Sequence, residues 1–515
     1  LANDFFRQIN SALPPSAEIW LEEYLERTTR SYDVDLRTPL FDEAPREDVI
    51  ADLEHAIGDT GFEDFDAINA HEKEKIGPES QRDSFDERRP LVAEYTGAGL
   101  DADLEILEAC VQEEVKRLPP RSLRPLSFDT VRGSVFRGHK LRGFPWLTTD
   151  ESQDEWYMAQ APSVRSYLEM WPYLIGWRGQ HRGLHLRPKQ RTVAMSQKVE
   201  LLLSATTLYP VVNALKGSEG YAAWMGPEYV DMAMTRILRR ARGRLIISGD
   251  YESFDASVNR VLLDAVKRIR QVWYGNEDVT ARYEITTDYL ARGAIIVPEG
   301  MMWENRNGAI ASGHGHTNDF GTGVNRLAQR YVAKRAGLWV VDMETLGDDS
   351  VTVFSDNLDP ATYAKYLAEL GLKANPDKQF VSTDAVHYLQ NWHSLRYQKD
   401  GVCKGVRSPM RALGGMMSFE RWHKEWSKWL VTARLGVQCE NVKNHPKFPE
   451  FVKFVKKGDR ILSSGIDFLE VLRRAGGAEY VSEALDRPSF PFNVADPERA
   501  NEFETTKVLR QLAAT

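Results

Sequence analysis

Two clusters of carboxylates stand out in this chain. The first is Ser248-Gly249-Asp250-Tyr251-Glu252-Ser253-Phe254-Asp255; the second, farther along, is Leu346-Gly347-Asp348-Asp349-Ser350. Each follows a β-rich apolar run, so each sets its acids at a strand end. Hard divalent cations take oxygen ligands and keep substrate phosphates in their shell. Two such ions roughly 3.5–4 Å apart can stabilise the attacking and leaving oxygens of an in-line displacement at phosphorus. That chemistry needs carboxylates converging from separate elements. Asp250 at a strand end and Asp348 at a hairpin tip would supply them. Gly347 permits the tight turn that brings Asp348 and Asp349 to one edge. A Gly-Asp-Asp tripeptide alone is an ordinary turn, so its weight depends on the residues between and around the clusters.

Between them, Ser312-Gly313-His314-Gly315-His316-Thr317-Asn318 opens a helical pattern with Phe320, Val324, Leu327 and Tyr331 on one face. His314 and His316 lack a third metal ligand nearby, so they read as loop residues beside nucleic acid. Downstream comes Asn375-Pro376-Asp377-Lys378. Upstream, Arg187-Pro188-Lys189-Gln190-Arg191 alternates basic residues, which share one side of an extended segment. Arginine pairs bidentately with phosphate oxygens, whereas lysine acts as a point charge. Residues 121–183 are rich in arginine, glycine and aromatics, as in Arg132-Gly133, Arg142-Gly143-Phe144-Pro145-Trp146 and Trp177-Arg178-Gly179. Such loops suit contact with a phosphate chain, with rings available for base stacking, and Arg142 is the candidate RNA contact.

Several elements must position these residues. Residues 244–248 read as a buried strand, and apolar residues from Val258 to Trp273 recur at helical spacing. Residues 339–341 and 350–354 bracket the second cluster as a strand–turn–strand unit. A helix is expected over 361–370, closed by Gly371. Further helices are expected over 18–27 and 101–118, the latter ended by Pro119-Pro120. Helices also fit 419–435 and 458–475, with a break at Gly465, and loops fit 77–89 and 488–497.

Composition sets the outer bounds. With 515 residues and 42% hydrophobic content, the chain can build a large core or several subdomains. No apolar run reaches the roughly 18 residues of a membrane span, so none is expected. The first ten residues carry no apolar core of a secretory signal. Cys110, Cys403 and Cys439 lie far apart, which argues against a zinc module and fits a reducing compartment. The net charge of −9 conceals an asymmetry: residues 1–114 carry −20, the remainder +11, and residues 115–200 alone +8. A basic zone on an acidic protein can form an electrostatic channel for phosphates.

As an ordered set these residues resemble palm motifs A, B, C and D of viral RNA-dependent RNA polymerases, with motif F at Arg187 to Arg191. The resemblance spans roughly residues 180–400. Length and flanks look most like the polymerases of small double-stranded RNA viruses, picobirnaviruses first and partitiviruses next. The resemblance implies an α+β right-hand fold with a helical thumb. Residues 1–114 would form an acidic N-terminal extension and 115–243, with 274–305 inserted, the fingers. Residues 244–273 and 306–413 would form the palm, and 414–515 the thumb and C-terminal tail.

It further implies that Asp250 and Asp348 bind two Mg²⁺ ions, with Mn²⁺ a possible substitute, and that Asp349 helps hold the ions and the primer end. Asp255 would sense the ribose hydroxyls, and Thr317 would help position it. Ser312 and Gly313 would touch template and nascent base pair. The family usually has asparagine where this chain has Gly321, so Asn318 or Asn325 stands in for the sugar contact. Arg187, Lys189 and Arg191 would bind the triphosphate. Lys378 would protonate the leaving pyrophosphate, and Tyr388 would lie against RNA in a primer-gripping hairpin. Implied partners are template and nascent RNA, ribonucleoside triphosphates and a viral capsid protein, with no membrane. The expected location is the virion interior and host cytoplasm. A reverse transcriptase is disfavoured by Asp255, whose carboxylate can accept a hydrogen bond from a 2′-hydroxyl. A non-catalytic RNA-binding scaffold is disfavoured by the two intact carboxylate clusters.

Overall fold

The computed structural model describes residues 17–136, 142–147, 151–161, 172–275, 277–298, 302–303, 306–422, 426–475 and 500–514. In chain order the strands used below are β1 (Tyr173–Gln180), β2 (Lys189–Met195), β3 (Ile246–Gly249), β4 (Ile295–Ile296), β5 (Met302–Trp303), β6 (Val340–Leu346), β7 (Asp349–Phe354), β8 (Phe380–Ser382) and β9 (Ala385–Tyr388).

The sheet that carries both acidic clusters has the order β6-β7-β3-β8 and is antiparallel at every pairing. Strand alternation sends successive side chains to opposite faces. Ile247 therefore joins the main core, with Phe320, Val324 and Leu327 of the long helix Thr317–Arg335. Ile246, Val351 and Val353 pack on the other face against Ala233, Met234 and Ile237 of helix Pro227–Ala241. The sheet is thus covered on both faces, which leaves its edges and strand ends for chemistry. A second sheet has the order β2-β1-β4-β5, with β2 antiparallel to β1.

The N-terminal segment divides between two cores. Helix Leu104–Arg117 buries Leu107, Cys110 and Val111 in the main core. Helix Arg46–Ile57 buries Val49, Ile50 and Leu53 in a second core, with Phe451, Val452 and Val455 of helix Phe448–Gly458.

The expected loop over 77–89 contains the start of helix Phe85–Ala93. Ser84 and Glu87 form a reciprocal capping box there, which satisfies two otherwise orphaned backbone donors. The helix expected from 419 begins only at Lys428, where Ser427 accepts a cap bond from the Leu430 N–H. The break at Gly465 is present, with φ +78°, between helices Arg460–Ser463 and Phe468–Arg474. The 488–497 loop lies outside the described residues. Among the described residues no helix is long and apolar enough to cross a membrane. Cys110, Cys403 and Cys439 are buried and free.

Candidate active site

Strand register brings the two acidic clusters together. Gly249, the last residue of β3, pairs with Ser350 of β7, and Leu346 pairs with Asp349 across a two-residue turn. Gly347 takes φ +58°, the left-handed region that favours glycine. Asp250 therefore leaves its strand beside Asp348 and Asp349. Gly249 is required for close approach as well: a Cβ there would lie 2.5 Å from Ser350 Oγ and 2.8 Å from the Tyr363 hydroxyl. After Asp250 the chain bridges to Lys373, turns at Ser253 (φ +51°) and enters the short helix Phe254–Ser257 that carries Asp255.

The electrostatics are those of crowded like charges. Burial raises the Asp250 carboxyl above its usual range; Lys378 opposes that rise and Asp348 adds to it. Burial, then the charges of Asp348 and Asp250, push Asp349 up to about 7. Asp255 is likewise pushed to about 7 by burial and Asp348, against the pull of Arg191. A divalent cation would relieve this repulsion. Among the described residues no group of three or more His, Cys, Asp or Glu side chains is gathered to hold an ion by itself. Of the clustered carboxylates, Asp250 and Asp348 are exposed, and Asp349 is half-buried beside them. Carboxylates with open sides fit a hard ion that retains water and phosphate oxygens.

The other expected residues are distributed unevenly. Ser312 Oγ accepts the Ala194 N–H at 3.2 Å, and the Gly313 N–H donates to the Ala194 carbonyl at 3.0 Å, so this loop is laced to β2. Lys189 and Arg191 are exposed on β2, without an ion-pair partner among the described residues. Arg187 precedes the strand and pairs with Asp33 and Asp83 of the N-terminal segment. Asn318 lies with its Nδ2 4.0 Å from where a Gly347 Cβ would be, and its Oδ1 accepts the Trp224 indole N–H at 2.9 Å. Lys378 is exposed, 3.3 Å from Glu252.

Several expectations are corrected. The Thr317 hydroxyl donates to the Ala311 and His314 carbonyls (2.6 and 2.8 Å), which commits its one hydrogen to the loop rather than to Asp255. Asn325 cannot reach a sugar: it is fully buried and bonds the carbonyls of the Gly347–Asp349 turn. Gly321 lies against that turn, its missing Cβ 3.4 Å from Gly347 Cα. Arg142 is 1% exposed and pairs with Asp154 at 2.6 Å, so it is no RNA contact. Tyr388 is buried with Val386 in the core beneath helix Pro227–Ala241, because strand alternation turns both inward. His314 and His316 are sealed from solvent; His314 lies 3.0 Å from Glu200, and His316 bonds Thr207 at 3.3 Å.

Two supports had no sequence signal. The Gln379 amide accepts the Asp250 N–H (3.0 Å) and donates to the Asp250 carbonyl (2.9 Å), continuing the β3–β8 ladder by one side chain. The Thr322 hydroxyl accepts the Gly347 N–H at 2.9 Å. Both residue types are common in loops and helices, and only their placement distinguishes them.

Comparison with known proteins agrees with this geometry. Residues 152–407 match the viral RNA-dependent RNA polymerase family. A curated protein of a human picobirnavirus (strain Human/Thailand/Hy005102/-), described as a potential RNA-dependent RNA polymerase, is 31% identical over 299 residues. That alignment covers 56% of this chain and 54% of the relative, so the chain matches about half of that relative's length. The crystal structure of the RNA-dependent RNA polymerase of a human picobirnavirus superposes with a TM-score of 0.81, at 23% identity, over 98% of both chains. Its insertion-loop deletion mutant superposes with a TM-score of 0.80, at 22% identity, over 96% of both. These structures share the α+β right-hand polymerase fold with this chain. Residues 152–407 thus resemble the viral RNA-dependent RNA polymerase family, and the chain as a whole shares the fold of the picobirnavirus polymerase structures.

Proposed function

We propose that the chain extends RNA on an RNA template from ribonucleoside triphosphates. The observation that carries this reading is the convergence of Asp250, Asp348 and Asp349 at one end of an antiparallel sheet, with Asp255 close behind. In such a transfer the 3′-hydroxyl attacks the α-phosphate and pyrophosphate leaves. Asp250 and Asp348 would hold the divalent ions, Mg²⁺ or in its place Mn²⁺, which when bound stabilise the attacking and leaving oxygens. Asp349 backs them from a half-buried position at the start of β7.

The ionised Asp255 accepts a hydrogen bond from a ribose hydroxyl, an interaction that a deoxynucleotide forfeits. Lys189 and Arg191 neutralise the entering triphosphate from β2. Ser312 and Gly313, laced to the same strand, carry the template base across from it. Asn318 faces the metal turn and is the remaining asparagine for the sugar contact. Lys378 donates a proton to pyrophosphate after leaving Glu252. Arg187, held by Asp33 and Asp83, sets the approach of the β2 segment.

The same reading assigns 115–243 with 274–305 to fingers, 244–273 and 306–413 to palm, and 414–515 to thumb and tail. It also implies a capsid protein as partner, within the virion interior and host cytoplasm. The resemblance to picobirnavirus polymerases supports these assignments. The test is templated incorporation of labelled ribonucleotides, with and without primer. Asp348→Ala is expected to abolish incorporation while the protein stays folded. Normal synthesis by that variant, or preference for deoxynucleotides, would refute the assignment.

A further inference from the structure

Beneath the metal-site turn lies a closed network of buried amides and hydroxyls. Asn325 and Gln329 stand one turn apart on helix Thr317–Arg335, and both are 0% exposed. The Asn325 amide nitrogen lies 3.0 Å from the Gly347 carbonyl, 3.0 Å from that of Asp348 and 3.2 Å from that of Asp349. Its two hydrogens thus serve three acceptors, and the amide spans the turn as a clasp. Its oxygen accepts from the Tyr251 hydroxyl (2.9 Å) and from Gln329 Nε2 (3.1 Å). These partners fix the amide's orientation, because a flip would face its oxygen toward three carbonyl oxygens.

Gln329 extends the network. Its Nε2 also lies 3.0 Å from the Tyr251 hydroxyl and 2.9 Å from the Tyr363 hydroxyl, and its Oε1 accepts the Thr352 hydroxyl at 3.0 Å. Tyr251 immediately follows Asp250, Thr352 lies on β7, and Tyr363 lies on helix Pro360–Glu369. Two buried amides therefore tie the residue beside one metal carboxylate to the backbone that carries the other two. An apolar side chain at 325 would fill the volume but strip three turn carbonyls of their donor, at the desolvation cost of buried unpaired acceptors. Satisfied networks of this kind rigidify what they join.

We propose that Asn325 and Gln329 are positioning residues that set the separation between the Asp250 and Asp348 carboxylates, with Tyr251 as the link. The inference rests on the polymerase reading. Two metals must sit at a narrow spacing, and a sub-ångström change in carboxylate separation alters metal affinity and turnover before it alters RNA binding.

The test uses Tyr251→Phe, which deletes one hydroxyl and keeps the ring, and Asn325→Asp, which keeps the size and exchanges a donor for an oxygen. Single-nucleotide incorporation on a primed template gives kcat, KM and the half-saturating Mg²⁺ concentration. RNA affinity and melting temperature are measured alongside. The expected result for Tyr251→Phe is a fall in kcat of about ten-fold with a raised Mg²⁺ requirement, and unchanged nucleotide KM and RNA affinity. Asn325→Asp should lose more, and the double variant less than the product of the two. A folded Tyr251→Phe with wild-type kcat and wild-type metal dependence overturns the proposal, whether or not Asn325→Asp folds. So does a loss that tracks only the fraction unfolded. A wild-type chain that incorporates nothing would instead overturn the polymerase reading, and this inference with it.

Discussion

Glu114 offers a sharp test of how the acidic N-terminal segment is joined to the catalytic helix. It sits on helix Leu104–Arg117, 3% exposed, between two arginines of helix Thr317–Arg335. Its Oε2 accepts from Arg326 Nε at 2.8 Å, and its Oε1 pairs with Arg330 Nε. Burial alone would raise its carboxyl, but the two guanidinium groups overcome that and hold it at about 2, against an ordinary 4.5. At about 1.4 kcal/mol for each tenfold in proton affinity, this contributes roughly 3 kcal/mol to folding near neutral pH. Because the folded value is depressed, the contribution is complete above pH 4.5 and is lost as pH falls toward about 2. Glu114→Gln leaves two buried guanidinium groups facing a neutral amide, and breaking a buried pair in this way costs about 3–5 kcal/mol. Melting temperatures of both proteins across pH 7 to 3, followed by tryptophan fluorescence, should show a wide gap at neutral pH that narrows with acid. Equal stability at pH 7, or a gap that widens on acidification, would refute the reasoning.

Other expectations concern the site. In Gly313→Ala the new Cβ would lie 2.3 Å from the Ala194 carbonyl oxygen, so the loop or β2 must move; incorporation should drop by about ten-fold or more, and a wild-type rate would show that the lacing is dispensable. Gln379→Ala removes both side-chain bonds to the Asp250 backbone. Its kcat should fall about ten-fold in primer extension with RNA affinity retained; unchanged kcat would discard the brace. Arg142→Ala should lower the melting temperature through the lost Asp154 pair while RNA affinity per folded molecule stays constant. Weaker RNA binding at an unchanged melting temperature would restore Arg142 as a contact.

What was legible in the sequence follows from geometry that short stretches encode. A strand ending just before Asp250 and a two-residue turn at Gly347 fix where their acids lie, since period-two alternation and left-handed glycine leave few alternatives. The ordered motifs supplied the fold. What was not legible is burial. Arg142 and Tyr388 have the chemistry of RNA contacts, yet one is neutralised by Asp154 twelve residues on and the other is turned inward by strand register. Asn325 was open to a sugar role by type alone, and the structure places it under the metal turn instead. Gln379 acts through two bonds to a backbone whose neighbour is known only once β3 and β8 pair.

Charge makes the same point over a longer range. An excess of acid in residues 1–114 would repel a polyanion, but much of it is engaged with the basic remainder. Glu113 pairs with Arg330 (2.6 Å) and Lys334 (3.0 Å), Glu108 with Arg268 (2.8 Å), Glu72 with Arg411 (2.8 Å), Asp64 with Arg396 (2.5 Å) and Asp42 with Arg460 (2.6 Å). The more exposed of these pairs contribute no more than about 1 kcal/mol each, so stability is a weak account of them. Their electrostatic effect is subtractive: each offsets the field of a cation in the basic remainder of the chain. Lys189 and Arg191, which lack such partners among the described residues, keep theirs, and Arg191 acts on Asp255 at the site itself. Low-dielectric walls focus the field of uncancelled charges. A net-negative chain can therefore still present positive potential at Lys189 and Arg191, where the proposed triphosphate would enter.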